Sequence, residues 1–202
     1  MLKKIVLLAA MSVALNAASL TVYNTGVDAA HAVLAAGAID PHYTNGTTTV
    51  FVEGTVNAAW VPNTSTSKWV GPDAGDGSSL SGGTYSLVYR TTVDLTGFSA
   101  PSALITGRWA ADDGGGDILL NGISKGLTTN NAFSAYTNFT LNSGFVPGIN
   151  TIDFKWHDDI GPGGLRVEFL TATANLNSQT PEPASIALIL SGVAALAFFR
   201  RK

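Results

Sequence analysis

From Tyr85 to Leu95 the chain alternates without a break. Tyr85, Leu87, Tyr89, Thr91, Val93 and Leu95 share one parity, and Ser86, Val88, Arg90, Thr92 and Asp94 the other. A run of period two this long predicts a β-strand with one face on a core. The same pattern sets Ile152, Phe154 and Trp156 against Asp153, Lys155 and His157, and Leu165, Val167 and Phe169 against Arg166 and Glu168. Shorter strand candidates are Leu20–Tyr23, Thr48–Glu53, Leu104–Ala111, Asp117–Leu120 and Tyr136–Leu141. Between them lie Asn45-Gly46, Gly75-Asp76-Gly77, Ser81-Gly82-Gly83, Asn121-Gly122, Pro147-Gly148 and Gly161-Pro162-Gly163-Gly164, all of them turn chemistry. About eight strands at this spacing, with no repeat of fixed period, predict a mainly β body: an antiparallel two-sheet sandwich or jelly roll. Val27–Ala38 is alanine-rich with little amphipathic pattern, and reads as a helix or as a loop with a helical turn.

Composition narrows the class. Of 202 residues, 46% are hydrophobic and 12% charged, the reverse of a disordered chain. The absence of cysteine excludes disulfide scaffolds, cysteine metal sites and cysteine nucleophiles. The formal charge of −3 conceals an asymmetry, because five of the eleven basic residues sit at the two ends. Ser19–Thr180 holds six basic residues against thirteen acidic ones, a net −7. A body of that sign does not attract phosphate backbones, so nucleic acid is not an expected partner.

Both ends read as addresses. Met1–Lys4 is a basic lead-in to the apolar run Ile5–Leu15, and Asn16-Ala17-Ala18-Ser19 supplies small residues for cleavage after Ala17 or Ala18. Residues 1–18 are therefore expected to be a secretory signal peptide, too short to span a bilayer comfortably. At the other end Thr180-Pro181-Glu182-Pro183 precedes the apolar Ala184–Phe199 and the terminal Arg200-Arg201-Lys202. Sixteen apolar residues make a transmembrane helix of about 24 Å, which snorkelling Arg and Lys side chains can lengthen. The terminal cations would hold that end in the cytoplasm and leave the acidic body outside. The expected organisation is a signal peptide at 1–18, a β-sandwich domain at 19–178, and a sorting segment at 179–202 with its transmembrane helix at 184–199.

Pro-Glu-Pro, a short apolar helix and a basic cluster, in that order at the extreme end, resemble the PEP-CTERM sorting signal of exported bacterial proteins. The resemblance implies that exosortase, a membrane-embedded transpeptidase-like enzyme, is a partner. It also implies that Pro181, Glu182, Pro183, Arg200, Arg201 and Lys202 are read by another protein and do no catalysis. Thr180 stands where many members carry Val. Within the body, Arg108-Trp109-Ala110-Ala111-Asp112-Asp113, a glycine loop and Asp117–Gly122 are similar to a pattern of galactose-binding-like β-sandwich domains. Gly144–Phe154 resembles a later strand of the same fold. That likeness implies an architecture and no particular ligand.

Candidate chemistry is sparse. Gly122-Ile123-Ser124-Lys125-Gly126 matches the G-x-S-x-G pattern of serine hydrolases, but Asn121-Gly122 reads as a hairpin turn and not as a strand-to-helix elbow. His31, His42 and His157 have no zinc-ligand spacing, and His157 falls on the polar side of its strand. Asp112, Asp113 and Asp117 flank three glycines and are candidate Ca²⁺ ligands, with Asp158, Asp159 and the carbonyls of residues 161–164 as candidate additions. The competing account is a turn whose carboxylates cap their own amides, and it is favoured. Trp109 and Trp156 keep the phase of apolar neighbours and read as core. Trp60 and Trp69 flank the loop-like Val61–Lys68, and are the candidates for an exposed sugar-stacking platform. Two functions fit. One is a non-enzymatic, exported surface or matrix protein that binds the cell's own exopolysaccharide. The alternative is an exported hydrolase acting on that polysaccharide, which needs two facing carboxylates, whereas only Glu53 and Glu168 are glutamates of the body.

Overall fold

A computed structural model describes residues 17–46, 48–75, 85–129, 133–159 and 161–177. Asn16–Leu176 form one compact unit. Residues 1–16 of the expected signal peptide at 1–18 and the expected transmembrane segment at 184–199 lie outside the described residues, whereas Ala17 and Ala18, expected in that peptide, pair with Asn175 and Ala174 as strand residues of the body.

The described chain is built of antiparallel strands, and no α-helix occurs among these residues. They are β1 (Ala17–Ser19), β2 (Ile39–Asn45), β3 (Thr48–Val52), β4 (Val70–Gly71), β5 (Tyr85–Asp94), β6 (Leu104–Asp112), β7 (Gly114–Leu120), β8 (Ile123–Ser124), β9 (Thr137–Leu141), β10 (Ile149–Asp158) and β11 (Gly164–Asn175). A 3-10 turn spans Ala100–Ser102. The strands join edge to edge in the order β8-β7-β10-β5-β2-β3-β4-β11-β6-β9, with β1 on β11. Val27–Ala38, read as a helix or as a loop with a helical turn, is a loop: a series of turns closed by a bridge between Val27 and Val33. The strand expected at Leu20–Tyr23 does not form; the strand in this region is Ala17–Ser19, and Leu20 to Tyr23 run on outside any strand.

Alternation decides what each strand buries. Leu87, Tyr89 and Val93 of β5, Ile152, Phe154 and Trp156 of β10, and Ile118 and Leu120 of β7 all enter one core. Ile105 and Trp109 of β6, Leu165 and Val167 of β11, and Phe139 of β9 meet them there. Phe154 sits at the centre, with ring centroids 5.7 Å from Trp109, 5.8 Å from Phe139 and 6.5 Å from Phe169. The sheet therefore curls over, so that β10 looks onto β6, β9 and β11. Offset and edge-on rings at these distances are the favoured aromatic geometry.

A smaller apolar cluster lies on the outer side of β6, where Trp60, Trp69 and Ala110 pack together with Val56, Val61, Phe133 and Tyr136 around them. The chain from Gly54 to Trp69 thus covers that face.

Candidate functional site

The covering segment explains two tryptophans that its loop-like sequence places at the surface. Trp60 is 3% exposed and Trp69 is not exposed at all, so neither forms the expected platform. Their rings lie 4.3 Å apart, and each indole N–H is used internally: Trp60 Nε1 donates to Asp112 Oδ2 at 2.6 Å, and Trp69 Nε1 to the Val61 carbonyl at 2.7 Å. They are the apolar anchors of a covering loop.

Beneath that loop is a polar cluster which the alternation of β11 does not reveal. Arg166 and Glu168 point away from the main core, yet Arg166 is fully buried and Glu168 is 4% exposed. Glu168 Oε1 accepts from Ser67 Oγ at 2.6 Å, Tyr136 OH at 3.0 Å and Arg166 Nη2 at 3.1 Å, while Oε2 accepts from Arg108 Nε at 2.6 Å. Arg166 also donates to the carbonyls of Val61 and Pro62. Burial pushes the Glu168 carboxyl up, but hydrogen bonds from Ser67, Arg108 and Tyr136 outweigh it and hold the group below the ordinary glutamate range. Arg108 lies 4.2 Å over the Tyr136 ring. Both oxygens of this carboxylate are engaged, which suits a clamp and not a proton shuttle.

The aspartates gather at one end of the sheet. Asp112 ends β6 and Asp113 follows it into the β6–β7 turn, while Asp158 ends β10 and Asp159 follows it. Asp113 Oδ2 accepts from the Asp159 amide at 2.7 Å. Burial, against the Trp60 hydrogen bond and with the charges of Asp113 and Asp158, pushes Asp112 up to about 7. Burial and the charges of Asp113 and Asp159 push Asp158 up to about 6. Asp158 is fully buried, and neither of its carboxylate oxygens has a hydrogen-bond partner. Asp117 turns away from them, and its Oδ1 accepts from the amides of Ile118 at 2.8 Å and Leu127 at 3.1 Å. Burial pushes Asp117 up, but hydrogen bonds from Ser124, Leu127, Ile118 and Gly126 prevail and hold it low. Among the described residues no three acidic or histidine side chains are grouped so as to hold a metal ion.

Asn121 and Gly122 have φ of 53° and 77° and turn β7 directly into antiparallel β8, so Ser124 stands on an exposed hairpin strand. A two-residue turn with both φ positive is the hairpin type that Asn-Gly favours.

On the opposite side of the sheet, the outward residues of β2 and β5 line two adjoining cavities of about 330 and 250 Å³, which share Thr44 and Arg90. Tyr43 turns inward to the core and so leaves His42 and Thr44 facing out. The His42 ring stacks on Tyr23 at 3.5 Å, and His31 stacks on Tyr23 at 4.8 Å. Arg90 is held by Asp153 through paired bonds of 2.6 and 2.8 Å. Residues 23, 31, 42 and 90 are distant in sequence, and no local pattern joins them.

Residues 179–202 match the PEP-CTERM protein-sorting motif. The class is that of exported proteins with a β-rich body and a C-terminal sorting segment. This chain is a substrate of exosortase-type processing, and its precursor is anchored in the membrane. No curated protein matches the chain.

Proposed function

We propose that the protein is a non-enzymatic component of the cell surface or extracellular matrix, delivered by its C-terminal segment and engaging the cell's own exopolysaccharide through its body. The match over residues 179–202 carries this reading. The engagement of three acidic side chains supports it. Glu168 accepts from five side chains, Asp117 caps a hairpin, and Asp153 is clamped by Arg90. A glycosidase needs one carboxyl free to give a proton and another facing it at about 5 to 10 Å. The body is read as a galactose-binding-like jelly roll, on the strength of the curled antiparallel sheet and the Asp-bearing β6–β7 turn followed by an Asn-Gly hairpin. Pro181 and Pro183 carry no amide donor, and proline disfavours helix in the residue before it, which suits reading of the sequence by an enzyme at the membrane surface.

The test is Glu182→Ala in the full chain. Residue 182 lies beyond β11, so the melting temperature of the body should not change, while the precursor should stay in the membrane at full mass. A variant that reaches the wild-type location at the wild-type mass overturns the sorting reading.

A further inference from the structure

We propose that the groove on the outer face of β2 and β5, between the His31–Tyr23–His42 ring stack and Arg90, binds a neutral glycan. This deepens the reading of the body as a polysaccharide-engaging module and rests on it.

Four observations converge on the groove. The first is space. The two adjoining cavities, about 330 and 250 Å³, together reach the size range of small-ligand clefts and run along the sheet surface on either side of Thr44. Secondly, the walls match a sugar. One end carries the imidazole of His42 on Tyr23 and the ring of Pro41, apolar surfaces for the C–H face of a pyranose. The floor carries the hydroxyls of Thr44 and Thr92 and the guanidinium of Arg90. Thirdly, the stack is backed by a fixed turn. His31, which stacks on Tyr23 without lining the cavities, adopts φ of 62°, a left-handed conformation that histidine enters more readily than most residues. Asp28 supports this turn by accepting from the amides of Ala30 and Ala32 at 2.9 Å each. Tyr23 is pinned from behind, where its carbonyl accepts from Tyr43 OH at 2.9 Å.

Charge, the fourth observation, selects the class of glycan. Arg90 spends Nε and Nη2 on Asp153, which is only 5% exposed, so its positive charge is matched. Its side chain is still 51% exposed, and it lines the groove. With Asp153 buried behind it, Arg90 offers the groove its remaining N–H donors with its charge already matched, which suits the neutral oxygens of hydroxyl groups. A uronate would need an unmatched cation, and it would approach a body carrying −7.

The experiment uses the full chain in a zwitterionic detergent, since glycosidic detergents would compete. Neutral tetrasaccharides of glucose, galactose and mannose, and a tetragalacturonate, are titrated while the imidazole proton signals are followed by NMR. At least one neutral tetrasaccharide should move the His31 and His42 signals saturably, with a dissociation constant of roughly 1 mM or tighter, and leave His157 unmoved. Thr44→Trp fills the space common to both cavities at an exposed strand position and should weaken binding by about tenfold or more with an unchanged melting temperature. Arg90→Gln should also weaken it. No response to any neutral tetrasaccharide overturns the proposal, as does equal or stronger binding of the tetragalacturonate, or undiminished binding by Thr44→Trp. A glycan response that leaves the His31 and His42 signals still overturns it too, and moves the binding site to another part of the body. The sorting reading is judged separately by Glu182→Ala, so loss of one does not decide the other.

Discussion

Asp158 is a carboxyl group with no access to water and no hydrogen-bond partner, placed next to two more aspartates. Burial raises it to about 6, raises Asp112 to about 7, and raises Asp40 as well. A folded state that holds protons more tightly than the unfolded chain loses stability as pH rises from the unfolded value near 4 through the folded values. Glu168 and Asp117, both held low, contribute in the opposite sense and lose stability only at lower pH. The melting temperature should therefore peak at mildly acidic pH and decline towards pH 8. Asp158→Asn should remove part of that decline and raise the melting temperature at pH 8; a flat profile in the wild type would refute this account. None of this is written in the sequence, where Asp112, Asp113 and Asp117 form one acidic run. The fold separates them by giving Asp117 to a hairpin cap and bringing up Asp158 from a strand far along the chain. Arg166 and Glu168 were hidden for a related reason. Their parity marks them as an outward face, and only a covering loop buries them. Two tryptophans nine residues apart in a segment of small polar residues were the available signal for such a loop, since a cover needs apolar anchors.

Among the elements, β5, β6, β10 and β11 were legible because a long strand repeats its alternation often enough to stand out. β2 was not. Pro41 interrupts it, Asp40 faces inward to accept from the Gly26 and His42 amides, and it pairs with β5 at Thr44 opposite Arg90. Its place in the sheet comes from its neighbours, and proline inside a run argues against a strand. The pairing of β7 with β10 shows how tightly the elements pack. A Cβ at Gly115 would overlap the Trp109 indole, which fills the space beneath the β7 backbone. Gly115 has no positive φ, so the effect of a substitution there is steric and not conformational. Gly115→Ala should cost about 1 to 3 kcal/mol by overpacking, measured by chemical denaturation, and Gly116→Ala, whose Cβ meets only a distant carbonyl, should cost less than half as much. Equal losses at the two positions would show that Trp109 moves aside freely.

At the scale of the whole molecule, the tail was the most legible part, because a sorting signal is read as sequence and needs no fold around it. The groove was the least, being assembled from residues that only the sheet brings together. The ends of the chain predict that the acidic body faces outward and the terminal cations inward. Protease added to intact spheroplasts should remove the body and leave a short membrane-protected fragment; a fully protected body would exclude that topology. The body itself begins and ends at one place, since Ala17, Ala18 and Ser19 pair with Asn175, Ala174 and Thr173. Antiparallel pairing puts the entering and leaving ends of the chain at the same end of that ladder, with its hydrogen bonds perpendicular to the strands. Traction between the two ends would therefore load these bonds one at a time, like a zip, and peel three residues before reaching the long β11–β6 ladder. Traction between the tail and a polysaccharide held in the groove would take another route, from β11 through β4 and β3 to β2. The two directions of pull therefore meet different resistance, a ladder of three residue pairs in one case and several packed strands in the other.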